Sequence, residues 1–201
     1  MRASILSGVP WFKVRMKNSY YAFRHGQSRA NVEGIIVSDP AVGTVDYGLT
    51  EEGRQQVRAS VAAAGLGAEA QIYASDFLRA RETAELIQTL IGAEPITFDT
   101  RLRERFFGDW EGKSHVNYSK TWHKDAFEPD REYAGAERAI EVRARMWAVI
   151  ESLEARHAGE TIVLVSHGDP LMLLETAFAE LEAGAHRSLP YISTGGCRRL
   201  V

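Results

Sequence analysis

The sequence predicts an α/β protein: a three-layer α/β/α sandwich around a mostly parallel central sheet. Residues 161–165 form a continuously apolar or β-branched run, as expected of a strand covered by helices on both faces. Short strand-like runs at 20–23, 71–74, 96–98 and 161–165 alternate with longer stretches of helical periodicity. No internal repeat, low-complexity segment or composition break divides the 201 residues, a length that suits one domain with a sizeable core.

Taken in order, residues 20–23 (Tyr-Tyr-Ala-Phe) predict a buried first strand. Gly34, Asp39-Pro40 and Gly43 make 32–48 a loop over the end of that strand. Val57, Val61 and Ala64 recur at helical spacing from Glu51 onward, with Thr50 as cap and Gly65 as stop. Residues 71–74 predict the second strand. Ser75 or Asp76 then caps a helix whose Ala80, Ala84, Ile87 and Ile91 form one stripe.

A third strand falls at 96–98 and a structured loop at 103–112. Residues 114–130 predict a small cap in which Trp122 and Phe127 pack over the domain. A long helix spans 136–157 and ends near Gly159; after the strand at 161–165, Asp169 and Pro170 open another, with Leu171, Leu174, Phe178 and Leu181 on one face. Residues 193–201 predict a terminal strand.

Composition narrows the function classes. Hydrophobics at 45%, charged residues at 25% and a net charge of −3 exclude general disorder and a broad electrostatic affinity for nucleic acid. No basic groove with interleaved aromatics is present. Cys197 is the only cysteine, which rules out an internal disulfide and multi-cysteine metal centres and fits a reducing compartment. Residues 1–17 carry Lys13, Arg15 and Lys17 around Trp11-Phe12 and lack an apolar run of signal-peptide or membrane-span length. The expectation is therefore a cytoplasmic protein with no membrane association, in which residues 1–15 are an appendage or a product of start-site choice and 16–201 the domain.

The chemistry concentrates at strand ends. His25 follows the first strand in Arg24-His25-Gly26, and His167 follows the late strand in Ser166-His167-Gly168. In parallel sheets the crevice outside the carboxyl ends of the strands is where ligands bind, so both histidines can share one site. Arg24 offers an anion clamp, His25 a nucleophile with an ordinary pKa near ~6.5, and Gly26 lets backbone approach closely. Arg79, a cation in the first turn of its helix, opposes the helix dipole unless an anion lies there; the alternative is a surface pair with Asp76 or Glu82. His25, His167 and Glu104 could converge on a metal, but flanking arginines oppose one and reinforce phosphate binding.

In chain order, Arg24-His25-Gly26-Gln27-Ser28-Arg29-Ala30-Asn31 resembles an RHGxSxxN signature. Residues 49–56 resemble an LTxxGxxQ helix opening, 75–84 an SxxxRAxxTA pattern, 102–112 an acidic-residue loop and 166–168 a second histidine motif. Together these resemble the histidine phosphatase superfamily, also called phosphoglycerate-mutase-like, over about residues 20–174. The resemblance implies that His25 attacks phosphorus to form a phosphohistidine, with no cofactor and no metal. It implies further that Arg24, Arg79 and His167 bind the equatorial oxygens and that Glu104 protonates the leaving alcohol and later activates water.

From the residues alone, Glu104 is also readable as a surface partner of Arg103 or Arg105, with Asp109 and Glu111 as alternative acids. Ser28, Asn31 and Gly168 are expected to add phosphate contacts, Ser28 and Asn31 having helix capping as the alternative. The stretch 135–137 and Arg143 resemble a further family feature, with local ion pairing that positions the long helix as the equal alternative. Selectivity is expected from Phe106, Trp110, Lys113, His115, Tyr118, Trp122 and Lys124, the aromatics as pocket wall and the polar groups as ligand contacts. Leu189-Pro190-Tyr191 lacks the asparagine often seen in relatives at this late loop, which counts against substrate contacts there.

The expected activity is metal-independent hydrolysis of a small phosphorylated substrate. A cofactor-dependent mutase is the alternative enzyme, weakened by the short interval between Glu104 and His167. A non-enzymatic phosphate-binding scaffold is the alternative of another class, weakened by the retention of both histidines, both arginines and Glu104.

Overall fold

The computed structural model describes residues 15–201; residues 1–14, almost all of the expected appendage, lie outside the described residues. A five-stranded sheet has the order β3-β2-β4-β1-β5, with β1 (Ser19–Arg24), β2 (Gln71–Ala74), β3 (Thr97–Phe98) and β4 (Thr161–Ser166) parallel. The terminal strand β5 (Cys197–Arg199) closes the β1 edge antiparallel. The fold class predicted from the sequence holds.

Side-chain alternation along the strands assigns the two layers. Tyr20 and Ala22 of β1, Tyr73 of β2 and Ile162 and Leu164 of β4 pack with Val142, Met146, Ile150 and Leu153 of α6 (Ala139–Glu154) and Leu171 and Leu174 of α7 (Gly168–Phe178). The intervening residues Phe23, Ile72, Ala74, Val163 and Val165 pack with Val57 and Val61 of α3 (Glu51–Ala64) and Ala80, Ala84 and Ile87 of α4 (Leu78–Ile91). A strand buried on both faces cannot alternate apolar with polar residues, which is why β4 reads as one apolar run.

α3 has the expected ends: the Thr50 hydroxyl accepts from Gly53 N at 3.0 Å and Gly65 stands at φ 64°. Three expected caps are corrected. Ser75 and Asp76 do not cap α4, whose first flanking residue is Phe77, because the Ser75 hydroxyl bonds His167 and the Asp76 carboxylate pairs with Arg103. Asp169 lies inside the first turn of α7 with its carboxylate directed to Arg105, leaving His167 at the cap position.

A short helical turn, α1 (Arg29–Glu33), leads into the expected loop over the β1 end, which contains a second, α2 (Pro40–Gly43); Ser28 and Asp39 cap them. The cap region forms a short helix, α5 (Tyr118–Asp125), in which Trp122 is half-buried. Phe127, expected to pack there, is 75% exposed, since the chain turns outward after Asp125 is locked to Arg105. The long helix is shorter than expected, and Leu181 falls beyond the end of α7, where it is exposed.

Candidate active site

β1 and β4 run in register to their ends, Arg24 opposite Ser166, so the next residue of each strand, His25 and His167, leaves the same edge of the sheet. Their rings lie 5.2 Å apart, centroid to centroid. Gly26 is required beneath them because a side chain there would meet the carbonyl oxygen of Gly53 at 2.4 Å. Gly26 N instead donates to the Thr83 hydroxyl of α4 at 3.1 Å, tying the histidine turn to the helix that carries Arg79.

His25 Nδ1 lies 2.8 Å from Gly26 O; a carbonyl only accepts, so Nδ1 carries the ring proton. Nε2 then holds a lone pair, toward which Arg79 Nε–H donates at 3.1 Å. Burial, then the Arg79 and Arg24 charges, hold the imidazole well below its ordinary pKa and keep it neutral. An unprotonated nitrogen held by a proton on its partner is what a histidine nucleophile needs.

Arg79 is buried, which excludes the surface pairing considered from sequence; Asp76 is taken by Arg103 and Glu82 by Arg54. Its Nη2 donates to Val37 O at 3.0 Å. Arg79 Nη1, Arg24 Nε and His167 Nδ1 are buried with no hydrogen-bond partner among the described residues. Leaving such groups unpaired costs about 1–3 kcal/mol each. Three of them at the mouth of two strand-end histidines form an unsatisfied receptor for a tetrahedral anion. Gly168 leaves room for Arg24, whose guanidinium carbon would lie 3.2 Å from any β-carbon at that position.

Glu104 is buried between these groups, 3.7 Å from Arg79 Nη2 and 3.9 Å from His167 Nδ1. Its alternative reading as a surface partner fails, because Arg103 is engaged by Asp76 and Arg105 by Asp125 and Asp169. Burial pushes the Glu104 carboxyl up to about 7 against the opposing charge of Arg79, with Asp169 adding to the rise. A carboxyl with that proton affinity can deliver a proton near neutral pH.

A cavity of about 270 Å³ opens over this group and accommodates a small metabolite. His115, Tyr118 and Trp122 line it, as do Ser28, Asn31 and Gly168. Ser28 and Asn31 also form a reciprocal cap, Asn31 Oδ1 accepting from Ser28 N at 3.0 Å, so the capping alternative is realised in residues that also line the cavity. Four expected selectivity residues stand outside the cavity. Phe106 points outward and is 38% exposed. Trp110 is engaged outside by Lys113 and Lys120 over its ring. Lys124 lies two residues beyond Trp122, on another side of α5, with its ammonium over Tyr133. Asp109 and Glu111, the alternative acids, also stand outside the cavity lining; Glu111 accepts from Ser38. The stretch 135–137 does pair locally, Glu137 with Arg145 at 2.8 Å, and Arg143 donates to Leu181 O.

The structure adds lining residues that sequence reasoning did not select, among them Asp169, Arg187 and Tyr191. Tyr191 sits in the late loop that had counted against contacts; its hydroxyl accepts from Arg24, which also donates to Ile192 O at 2.9 Å. Among the described residues no group of three or more His, Cys, Asp or Glu is arranged to hold a metal ion, and no helix is long and apolar enough to cross a membrane.

Residues 20–200 match the profile of the histidine phosphatase superfamily, branch 1. The chain belongs to the histidine phosphatase superfamily. A glucosyl-3-phosphoglycerate phosphatase of Mycolicibacterium vanbaalenii is 31% identical over 172 residues, covering 79% of this chain and 72% of that protein. A probable phosphoglycerate mutase of Salmonella paratyphi C is 33% identical over 175 residues, covering 84% and 78%. This histidine phosphatase is also similar to solved structures. The mycobacterial glucosyl-3-phosphoglycerate phosphatase complexed with VO3 has a TM-score of 0.76 at 27% identity, over 90% of this chain and 91% of that one. Bacillus stearothermophilus YhfR has a TM-score of 0.76 at 32% identity, over 90% of each.

Proposed function

We propose that this histidine phosphatase is a phosphoric monoester hydrolase that acts on a small phosphorylated metabolite through a phosphohistidine at His25, without a metal. The observation that carries the reading is the set of buried nitrogens of Arg24, Arg79 and His167 that have no partner among the described residues and surround the neutral Nε2 of His25. Nε2 attacks phosphorus, the bond to the leaving oxygen breaks, and Glu104 supplies the proton that oxygen needs. Deprotonated Glu104 then takes a proton from water as water attacks the phosphohistidine, returning His25 and releasing phosphate. Arg24, Arg79 and His167 hold the equatorial oxygens throughout, where fixed cations and donors lower the barrier most. The glucosyl-3-phosphoglycerate phosphatases among the relatives support hydrolysis.

The test is phosphate release in EDTA from a panel of sugar phosphates, nucleotides, phosphoglycerates, phosphoamino acids and 4-nitrophenyl phosphate. Turnover in EDTA is expected; none across the panel, with specific phosphate binding intact, would favour the scaffold reading. The mutase names among the relatives favour a separate assay with 3-phosphoglycerate and 2,3-bisphosphoglycerate. Isomer exchange with little phosphate release would replace hydrolysis by transfer.

The proton role of Glu104 predicts a pH signature. Its carboxyl, raised to about 7, is protonated below that pH and ionised above it, while His25 stays neutral well below its ordinary value. Turnover of alkyl phosphates should therefore fall about tenfold per pH unit above about pH 7. The 4-nitrophenyl ester, whose leaving group needs no proton, should fall far less. Glu104→Gln should remove that difference and slow alkyl esters by roughly 10²–10⁴. The same basic limb on both esters, or on the variant, would remove Glu104 from this role.

A further inference from the structure

Arg187 lines the cavity and is a cation that the phosphoryl chemistry does not use. Its guanidinium carbon lies 3.9 Å from the centroid of the Trp122 ring and 5.4 Å from that of Tyr191. No carboxylate pairs with it among the described residues. Its backbone is held: the preceding residue, His186, is fully buried, with Nδ1 3.0 Å from Ala183 O and Nε2 3.4 Å from Asp169. The indole is supported in turn by Tyr118, stacked on it at 5.2 Å and 9°.

This arrangement decides what Trp122 can do. With a guanidinium against it, that side of the indole does not serve as a stacking platform for a ligand ring; it holds a cation instead. A guanidinium seated over an aromatic ring leaves N–H groups free at its edge, and those groups can grip a carboxylate in a fork. Tyr191 links this cation to the phosphoryl receptor. Its ring lies 4.9 Å from the guanidinium carbon of Arg24, so Arg24 and Arg187 flank one aromatic ring within the span of a small metabolite. Of the two acids lining the cavity, Asp169 is neutralised by Arg105, and Glu104 lies against Arg79 on the phosphoryl side.

We propose that Arg187, seated on Trp122, recognises a carboxylate on the leaving group, so that the substrates of this enzyme are phosphorylated carboxylic acids. The proposal rests on the phosphomonoesterase reading and deepens it. One guanidinium matches one carboxylate, whereas a second phosphate would call for a second cation at that end.

The test compares kcat/KM for 3-phosphoglycerate and glycerol 3-phosphate, which differ in carrying a carboxylate or a hydroxymethyl group, in the wild type, Arg187→Ala and Arg187→Lys, with 4-nitrophenyl phosphate reporting on the chemistry. The wild type should favour the acid by roughly ten- to a hundredfold, the range of a hydrogen bond to a charged group. Arg187→Ala should bring the ratio near one, chiefly by raising KM for the acid, and Arg187→Lys should recover part of it. A wild-type ratio near one, or a ratio unchanged in Arg187→Ala, would overturn the proposal. So would an Arg187-dependent preference for 1,3-propanediol bisphosphate over 3-phosphoglycerate, which would assign a second phosphate instead. If even 4-nitrophenyl phosphate is not hydrolysed, the enzymatic reading fails separately, and calorimetric binding of the same pair still decides the subsite: an Arg187-dependent preference for the acid supports it, and equal binding overturns it.

Discussion

Replacing His25 by Ala should reduce turnover of every phosphomonoester by at least about four orders of magnitude, because no other group can take its place at phosphorus. The substituents around it are committed elsewhere: His167 Nε2 lies 2.9 Å from the Ser75 hydroxyl, and Glu104 is held through Arg105 N at 2.9 Å. The fold should persist, since the sheet edge is set by backbone pairing of His25 N with Ser166 O and of Gly195 N with His25 O, which the substitution leaves intact. Steady-state phosphate release, checked against an unchanged circular dichroism spectrum and retained binding of inorganic phosphate, separates lost chemistry from lost structure. Turnover within tenfold of wild type would mean that another residue is the nucleophile.

The second large effect is on stability. Arg105 is 1% exposed and makes two bonds to Asp125, at 2.6 and 2.9 Å, and one to Asp169 at 3.1 Å. It joins α5, which carries Tyr118 and Trp122, to α7 and to the loop that carries Glu104. Arg105→Ala should cost about 3–5 kcal/mol, because it strips two buried carboxylates of their arginine and leaves only His186 beside them. That is a large part of an ordinary domain's stability, and the melting temperature should fall by roughly 10 °C near neutral pH.

The pH dependence has a definite sign. Burial disfavours the Asp169 carboxylate, yet His186 and Arg105 outweigh it and hold the group well below its ordinary value. A depressed carboxyl stabilises the fold above its unfolded pKa and loses that contribution as pH falls through the folded one. Without Arg105 part of that contribution is absent, so the deficit should be greatest above about pH 4 and shrink below it. Thermal melts from pH 3 to 8 check this; a pH-independent loss would mean the arginine acts by packing alone.

The parts of the molecule legible in the sequence are those set by local rules. Thr50 and Gly65 bound α3 because a hydroxyl cap and a left-handed glycine are local devices. β4 was legible because burial on both faces leaves no alternation. Ser75, Asp76 and Asp169 were misjudged as caps for one physical reason: each side chain is drawn to a partner far along the chain, His167, Arg103 and Arg105 respectively. The histidines and arginines of the site announced themselves through glycine-flanked strand ends and a cation in a helix's first turn. Arg187 and Tyr191 gave no such signal, since an arginine after a helix and a tyrosine after a proline are ordinary surface residues until the fold sets both against Arg24 and Trp122. Lys124 lies outside the cavity for the converse reason, because proximity in sequence to Tyr118 and Trp122 does not fix which side of a short helix a residue occupies.

The central claim is a phosphoryl group carried on His25. The direct measurement is rapid acid-free quench of the wild-type enzyme during turnover of ³²P-labelled substrate, followed by peptide mapping at alkaline pH, where phosphohistidine survives. Label on the peptide that contains His25, absent from His25→Ala and formed at least as fast as phosphate is released, is the result the mechanism predicts. Label on another residue, or phosphate release with no covalent label at any time point, would contradict it.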